Sequence, residues 1–253
     1  MKPTVLFLFN SSMYAVQPWL DLGGFNCVSV DYEDTDHSGP HRVHKAVQGH
    51  TRLTLDLSSG NAYGKIEQLL RAYNLMPPSF ILSFAPCTDI SVAGARHYAS
   101  KLAKDPLCQV KAVKAAKLVL SWTCPSIVEN PISVLSTMWK KPTGYVHPWH
   151  FSHLLPHDDV HPEFPNIIPP RDWYNKKTGL WCSNGAKMPV SEVCKGGPLE
   201  VFPGWAKLGG KSARTKYIRS LTPRGMATAI AWMNGPLVMA THRRNELIKG
   251  DTV

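Results

Sequence analysis

Short apolar runs alternate with segments of helical character along the first half of the chain. Runs typical of β-strands lie at residues 5–9, 27–30, 53–55, 80–84 and 126–128, and helical periodicity is found at 93–104 and 110–122. Strands that alternate with helices in this way pair in parallel and carry helices on both faces of the sheet. The chain is therefore predicted to be an α/β protein with a mostly parallel, doubly wound, Rossmann-like sheet.

The alternation weakens after residue 141, and this change suggests three segments. Residues 1–141 are predicted to form the α/β core. Residues 142–213, rich in Pro, Trp and His, are predicted to contain a basic strand and a small irregular insertion. Residues 214–253 are predicted to supply a helix near 223–233 that completes the core, and then a tail. A chain of 253 residues can bury such a core without disulfides or a structural metal.

Basic residues outnumber acidic ones by 28 to 18, and the excess is uneven. The stretch "KLGGKSARTKYIRSLTPR", residues 207–224, contains six Lys or Arg and no acid. Such a stretch attracts phosphate backbones, which favours a nucleic-acid partner. A solvated surface on a basic protein is the alternative.

The cysteines and the amino-terminal run bear on location. Six cysteines are scattered without a CxxC pair, which favours free thiols in a reducing compartment and so a cytoplasmic protein. The opening run "MKPTVLFLF" is too short to span a bilayer and is predicted to be the first strand, so no membrane association is expected.

Histidines are concentrated between residues 147 and 161. The stretch "HPWHFSHLLPHDDVH" contains His147, His150, His153, His157 and His161 with two aspartates. Imidazole and carboxylate suit zinc or iron, but the prolines oppose a regular spacing of ligands. A loop near a partner is the favoured interpretation, and no metal site is predicted.

Polar side chains follow successive predicted strands. Asp31, Asp56 and Cys87 come after the second, third and fourth strands, and Glu129 with Asn130 ends the fifth. Singly, each acid would be interpreted as a cap or turn residue and the thiol as a small buried residue. The carboxyl ends of parallel strands share one rim of the sheet, where open α/β sheets bind ligands. The sequence therefore predicts a site at which carboxylates contact a nucleoside while the thiol and Glu129 contact a second ligand.

Four motifs in order resemble those of the DNA cytosine carbon-5 methyltransferases, and most closely the compact bacteriophage members. They are "APCTD", "VENP", "NKKTGLW" and "IRSLTPRGMA", and the resemblance extends over about residues 4–233. It implies transfer of a methyl group from S-adenosylmethionine to carbon 5 of cytosine in DNA.

The resemblance also implies roles for individual residues. Cys87, after Pro86, matches the nucleophile that adds to carbon 6 of the ring. Glu129 matches the acid that hydrogen-bonds ring nitrogen 3 and the exocyclic amine, which requires a raised pKa or a tight contact at neutral pH. Asn130 would hold the loop of the nucleophile. The target base would be flipped out of the duplex, because carbon 6 is otherwise unreachable.

The donor side of the resemblance involves the turn after the first strand. Asp31 and Asp56 match residues that contact the ribose and adenine of S-adenosylmethionine, and Phe9, Asn10 and Ser11 match the turn beside the donor. Ser11 and Met13 stand where the family has glycines, whose use is a close approach of the backbone. A different donor therefore remains an alternative.

The basic strand and the basic stretch provide the expected contacts to DNA. The predicted contact residues are Lys176, Lys177, Lys211, Arg214, Lys216 and Arg219, together with Lys207. The stretch 186–210 is too short for a separate recognition domain, so low sequence specificity is expected. A nucleotide substrate and a catalytically inactive DNA-binding relative are further alternatives.

Overall fold

The computed structural model describes residues 1–32, 47–58, 60–190, 197–198, 208 and 212–250. The strands are β1 (Thr4–Leu8), β2 (Asn26–Asp31), β3 (His50–Thr54), β4 (Pro78–Ser83), β5 (Ser126–Pro131), β6 (Gly144–Val146) and β7 (Thr178–Ser183). The α-helices are α1 (Gln17–Leu22), α2 (Ala62–Ala72), α3 (Tyr98–Lys104), α4 (Cys108–Ala116), α5 (Leu135–Met138), α6 (Ala213–Ser220) and α7 (Arg224–Gly250). Short 3-10 helices lie at Val92–His97, Lys117–Ser121, Pro148–Leu154 and Pro170–Asp172.

All seven strands belong to one sheet, in the order β3-β2-β1-β4-β5-β7-β6. Strands β1 to β5 run parallel, and β7 is antiparallel to both β5 and β6. The order β3-β2-β1-β4-β5 is that of a Rossmann sheet. The predicted α/β class with a mostly parallel, Rossmann-like sheet is confirmed.

Two hydrophobic cores lie on the opposite faces of this sheet. Strand β1 is buried throughout, with Leu6 and Leu8 in one core and Val5 and Phe7 in the other. Successive side chains of a strand point to opposite faces, so a central strand covered on both sides is apolar at nearly every position, here at all but Thr4. Helices α2 and α4 cover the first face, and α1 and α7 cover the second.

The predicted elements agree with the observed ones in type but differ in extent. The predicted helices at 93–104 and 110–122 are each part α-helix and part 3-10 helix. The carboxy-terminal helix, predicted near 223–233, continues to Gly250. Strands β6 and β7 come from the segment 142–213 and pair beside β5, so the sheet extends past the proposed boundary at residue 141.

A buried ion-pair cluster holds the irregular segment against the start of α7. The guanidinium of Arg224 lies 2.7 Å from Oδ1 of Asp159 and 2.8 Å from Oδ1 of Asp172. The backbone N–H of Arg224 also donates to Asp172 at 2.6 Å. The Asp172 side chain is 2% exposed, so the carboxylate depends on these contacts for its solvation.

Candidate functional site

A cavity of about 950 Å³ opens beyond the carboxyl ends of β1, β4 and β5. The sheet order reverses between β1 and β4, and crevices at such switch points are the usual ligand sites of open α/β sheets. Predicted site residues that line it are Phe9, Asn10, Ser11, Asp31, Pro86, Cys87, Glu129, Lys176, Lys177, Lys216 and Arg219. A recess of about 360 Å³ shares Phe9, Asp31 and Pro86 with this cavity and adds Asp56.

Cys87 lies four residues past the end of β4 and is half-buried in the cavity wall. Burial raises the pKa of its thiol above the usual range, and the nearby charge of Glu129 raises it further. The ammonium groups of Lys176 and Lys101 act in the opposite direction. The thiol therefore lies in a site where neutralisation of Glu129 would favour the thiolate.

Glu129 is the fourth residue of β5 and lies in the same cavity. Burial raises the pKa of its carboxyl group, while the charge of Lys176 and a hydrogen bond with Thr178 lower it. The net direction is upward. A carboxyl group in this state can hold a proton nearer to neutral pH than a solvated one and can donate it in a hydrogen bond.

Asn130 is fully buried beside Glu129 and does not line the cavity. Its amide nitrogen donates to the backbone carbonyl of Ala85 at 2.9 Å. Ala85 is two residues before Cys87, so this hydrogen bond joins β5 to the loop of the thiol. The contact is the one that the expected role of Asn130 requires.

Lys176 lies inside the cavity, although its place in a basic run suggested a contact to the DNA backbone. Its ammonium donates to the carbonyl of Arg219 at 3.2 Å and lowers the pKa of both Cys87 and Glu129. Lys177 is exposed, with its ammonium 4.8 Å from the centre of the Tyr145 ring. Neighbouring lysines therefore have different environments, which a basic run in the sequence cannot indicate.

The loop after β1 forms without glycine at the positions noted above. Phe9 adopts a positive φ of 55°, an uncommon conformation for a non-glycine residue. The buried amide of Asn10 donates to the Ser12 carbonyl at 2.9 Å and to the Ser29 hydroxyl at 3.2 Å. Asn10 thus supports the loop, and half-buried Ser11 lines the cavity beside it.

Two carboxylates border the smaller recess. Oδ1 of Asp31 accepts the backbone N–H of Tyr32 at 2.9 Å. Asp56 accepts the backbone N–H of Ser58 at 2.9 Å and its hydroxyl at 2.6 Å, and these hydrogen bonds lower the pKa of the Asp56 carboxyl. Phe9, Leu57 and Pro86 add apolar surface. An ionised carboxylate can accept hydrogen bonds from a sugar diol, and the apolar walls beside it can contact a flat ring.

Helix α6 carries three of the predicted DNA contacts. Lys216 is exposed at the cavity, and the exposed Arg214 lies with its guanidinium 5.8 Å from the centre of the Phe164 ring. Arg219 is half-buried and donates to the Leu208 carbonyl at 3.0 Å, so it also supports the fold. Lys207 and Lys211 lie outside the described residues.

The five histidines of the 147–161 stretch have separate environments. His147 lines the cavity, and the His150 ring lies 4.4 Å from that of Trp149. His161 is 2% exposed, and its Nδ1 accepts the backbone N–H of Phe164 at 3.0 Å. Among residues with described positions, no three His, Cys, Asp or Glu side chains are grouped as metal ligands would be.

The burial of His161 predicts a loss of stability in mild acid. Burial lowers its pKa from 6.5 to about 4. Below pH 6.5 the imidazole is therefore protonated in the unfolded chain but stays neutral in the folded chain. The folded state loses stability as the pH falls from 6.5 towards 4. One pKa unit corresponds to about 1.36 kcal/mol, so we expect the free energy of unfolding to fall by about 2 kcal/mol between about pH 7.5 and pH 5.

Urea unfolding at the two pH values measures this effect. His161→Asn keeps a hydrogen-bond acceptor but cannot titrate, so its unfolding free energy should depend less on pH by about that amount. His153→Asn, at an exposed position of the same stretch, is the matched control and should behave like the wild type. An equal pH dependence in wild type and His161→Asn would contradict the prediction.

Sequence reasoning did not identify several features of this region. The Arg224, Asp159 and Asp172 cluster, the cavity position of Asn175 and the inward position of Lys176 were not predicted. The one available signal for Asn175 was its place directly before the two lysines of "NKKTGLW".

No helix within the described ranges is long and apolar enough to cross a membrane. The five cysteines with described positions, Cys27, Cys87, Cys108, Cys124 and Cys182, are free thiols, and Cys194 lies outside the described residues. The chain matches no known protein-family model, and no curated protein sequence is significantly similar to it.

Proposed function

We propose that this protein is a cytosine carbon-5 methyltransferase of DNA with low sequence specificity. The observation that carries the proposal is the pairing of a half-buried thiol, Cys87, with a carboxyl group of raised pKa, Glu129, in one cavity at the sheet's switch point. A smaller recess with two carboxylates adjoins them. The five cysteines with described positions are free thiols, as is usual in a reducing compartment, which supports a cytoplasmic location.

The chemistry assigned to the chain begins with the target cytosine in the large cavity. Protonated Glu129 hydrogen-bonds ring nitrogen 3, which draws electron density from carbon 6, and the thiolate of Cys87 forms a bond to that carbon. Carbon 5 thereby becomes nucleophilic. Carbon 5 then forms a bond to the donated methyl group, and the donor would leave as the neutral thioether S-adenosylhomocysteine. Water takes the carbon 5 proton, the electrons of that C–H bond restore the double bond between carbons 5 and 6, and the carbon–sulfur bond breaks to return the Cys87 thiolate.

The residues of the smaller recess fit the nucleoside part of S-adenosylmethionine. Asp31 and Asp56 would accept hydrogen bonds from the ribose hydroxyls and the adenine amine, and Phe9 and Pro86 would offer apolar surface to the adenine ring. When bound, S-adenosylmethionine supplies an electrophilic methyl group. Ser11 would lie beside the methionine part, because it lines the large cavity two residues after Phe9, which both spaces share.

Nucleoside mass spectrometry of DNA from cells that express the protein tests the proposal directly. We expect 5-methylcytosine with the wild type and none with Cys87→Ala. A different carbon-5 adduct mass would indicate another donor. Unmodified DNA from cells in which the protein binds DNA would support the inactive relative instead.

A second candidate, a carbon-5 enzyme with another donor, is favoured by the loop after β1. Ser11 stands at one of the two positions where the family has glycine and lines the cavity, so its side chain occupies space that a glycine would leave to the donor. Calorimetry with S-adenosylmethionine distinguishes the two candidates, and Asp56→Ala should weaken binding about tenfold through loss of a charged hydrogen-bond acceptor. Absence of binding at millimolar concentration would favour the second candidate.

Contacts to DNA are expected to be mainly electrostatic. Arg214 and Lys216 are exposed on α6, and each phosphate they neutralise adds about −0.9 to the slope of log affinity against log salt. The double variant Arg214→Ala and Lys216→Ala should therefore reduce the slope by about two units on unrelated duplexes alike.

Filter binding at several salt concentrations measures the slope. Lys114→Ala, at an exposed site on α4 that does not line the cavity, is the control and should leave it unchanged. An unchanged slope in the double variant, or a single duplex bound about a thousandfold better than scrambled DNA, would contradict the prediction, because such a preference requires base contacts.

A further inference from the structure

Most backbone carbonyls of the loop that carries Cys87 accept a hydrogen bond. Its partners are Asn130 at the Ala85 carbonyl (2.9 Å), the Ser91 amide at the Cys87 carbonyl (2.8 Å), Gln109 at the Asp89 carbonyl (3.3 Å) and the Tyr98 hydroxyl at the Ile90 carbonyl (2.6 Å). These donors come from β5, from the loop itself, from α4 and from α3. The loop is therefore preformed around the thiol.

Lys101 of α3 makes two further contacts to this loop. Its ammonium donates to the backbone carbonyl of Thr88 and lies 3.0 Å from Oδ1 of Asp89. Thr88 and Asp89 directly follow Cys87 in the chain. The Lys101 side chain is 28% exposed, so this interaction is only partly screened by water.

The charge of Lys101 also acts on the thiol itself. Burial and then the charge of Glu129 raise the pKa of Cys87, and the positive charges of Lys176 and Lys101 oppose them. Lys176 lies in the cavity wall, whereas Lys101 is not among the residues that line the cavity. Lys101 can thus favour the thiolate without occupying space that a substrate would need.

We propose that Lys101 is a positioning residue for the nucleophile, which fastens Thr88 and Asp89 to helix α3 and so holds the Cys87 thiol in place within the cavity. This inference rests on the proposed role of Cys87. It is tested first by a reaction that needs neither DNA nor a methyl donor, so its failure is distinguishable from failure of the proposed function.

The test is the rate of alkylation of Cys87 by iodoacetamide between pH 6 and 10, followed on the full-length protein by peptide mass spectrometry. Lys101→Met should slow alkylation at neutral pH about two- to fivefold, the range for a partly exposed charge interaction, and should shift the rate profile to higher pH. Lys101→Arg, which retains the charge, should keep at least half of the wild-type rate. Lys104→Met, on an exposed turn of the same helix, should match the wild type.

Three outcomes of the alkylation experiment would overturn the proposal. The first is a wild-type profile in Lys101→Met, and the second is a Lys101→Arg variant as slow as Lys101→Met. The third is an equal shift in Lys104→Met, which would indicate a general effect of net charge. Covalent trapping on DNA that contains 5-fluorocytosine should be slowed by Lys101→Met in the same proportion, and unchanged trapping would also overturn the assignment.

Discussion

Replacement of Cys87 by alanine is expected to abolish a covalent complex with DNA that contains 5-fluorocytosine. We expect the wild-type thiolate to add to carbon 6. Fluorine replaces the carbon 5 proton whose loss would expel the thiolate after methyl transfer, so the carbon–sulfur bond should persist. Cys87 is a free thiol that lines the same cavity as Glu129. The complex should survive denaturation and migrate as a single slow band on a denaturing gel when S-adenosylmethionine is present.

Two further variants make this experiment specific. Cys124→Ala removes another partly exposed thiol that lies outside the residues lining the cavity, and it should trap DNA as well as the wild type. Glu129→Gln keeps the size of the side chain but removes the acid, so trapping should slow by about 10²–10⁴-fold, the usual contribution of a general acid or base. An adduct that persists in Cys87→Ala would eliminate Cys87 as the nucleophile.

Replacement of Arg224 by methionine is expected to lower the free energy of unfolding by about 3–5 kcal/mol, because it leaves buried carboxylates without their cation. The side chains of Asp159 and Asp172 are 9% and 2% exposed and both contact the guanidinium. Burial raises the pKa of Asp172, while Arg224 lowers it. Loss of the cation therefore forces this carboxyl group either to take up a proton or to remain charged at a high cost.

Urea unfolding at neutral pH measures this loss. Arg214→Met is the matched control, since Arg214 is exposed and contacts the Phe164 ring, and it should cost less than about 1 kcal/mol. Adding Asp159→Asn and Asp172→Asn to Arg224→Met should restore part of the stability, because the uncompensated charges are then removed. A loss below about 1 kcal/mol in Arg224→Met would show that the cluster is not a structural support.

The position of the site was predictable because it depends on local sequence and one rule of topology. The apolar runs that become β1, β2, β4 and β5 are recognisable in the sequence, since strands covered on both faces are nearly continuous hydrophobic runs. Once the strands are parallel, their carboxyl ends share a rim. Asp31, Cys87 and Glu129 could therefore be predicted to lie close together without any measured distance, and they line two adjoining spaces.

The electrostatic character of the site, in contrast, was decided by tertiary structure. Lys176 and Lys177 are adjacent and chemically identical, yet only Lys176 acts on both Cys87 and Glu129. Both lysines directly precede β7, which pairs antiparallel with β5 so that Thr178 lies opposite Pro131. Hydrophobic periodicity in the irregular segment did not predict that pairing, because long-range strand pairing leaves no local signal in so short a strand.

Local sequence was sufficient to predict the class of the fold and the group of residues at the carboxyl rim of the sheet, because apolar periodicity and strand ends are local properties. The pKa values of those residues and the hydrogen bonds and ion pairs around them depend on contacts between distant parts of the chain. Arg224 meets Asp159 across 65 positions and Asp172 across 52, and Asn130 meets Ala85 across 45. Burial, which sets the pKa of Glu129 and His161, depends on packing between distant segments, and no single segment encodes it.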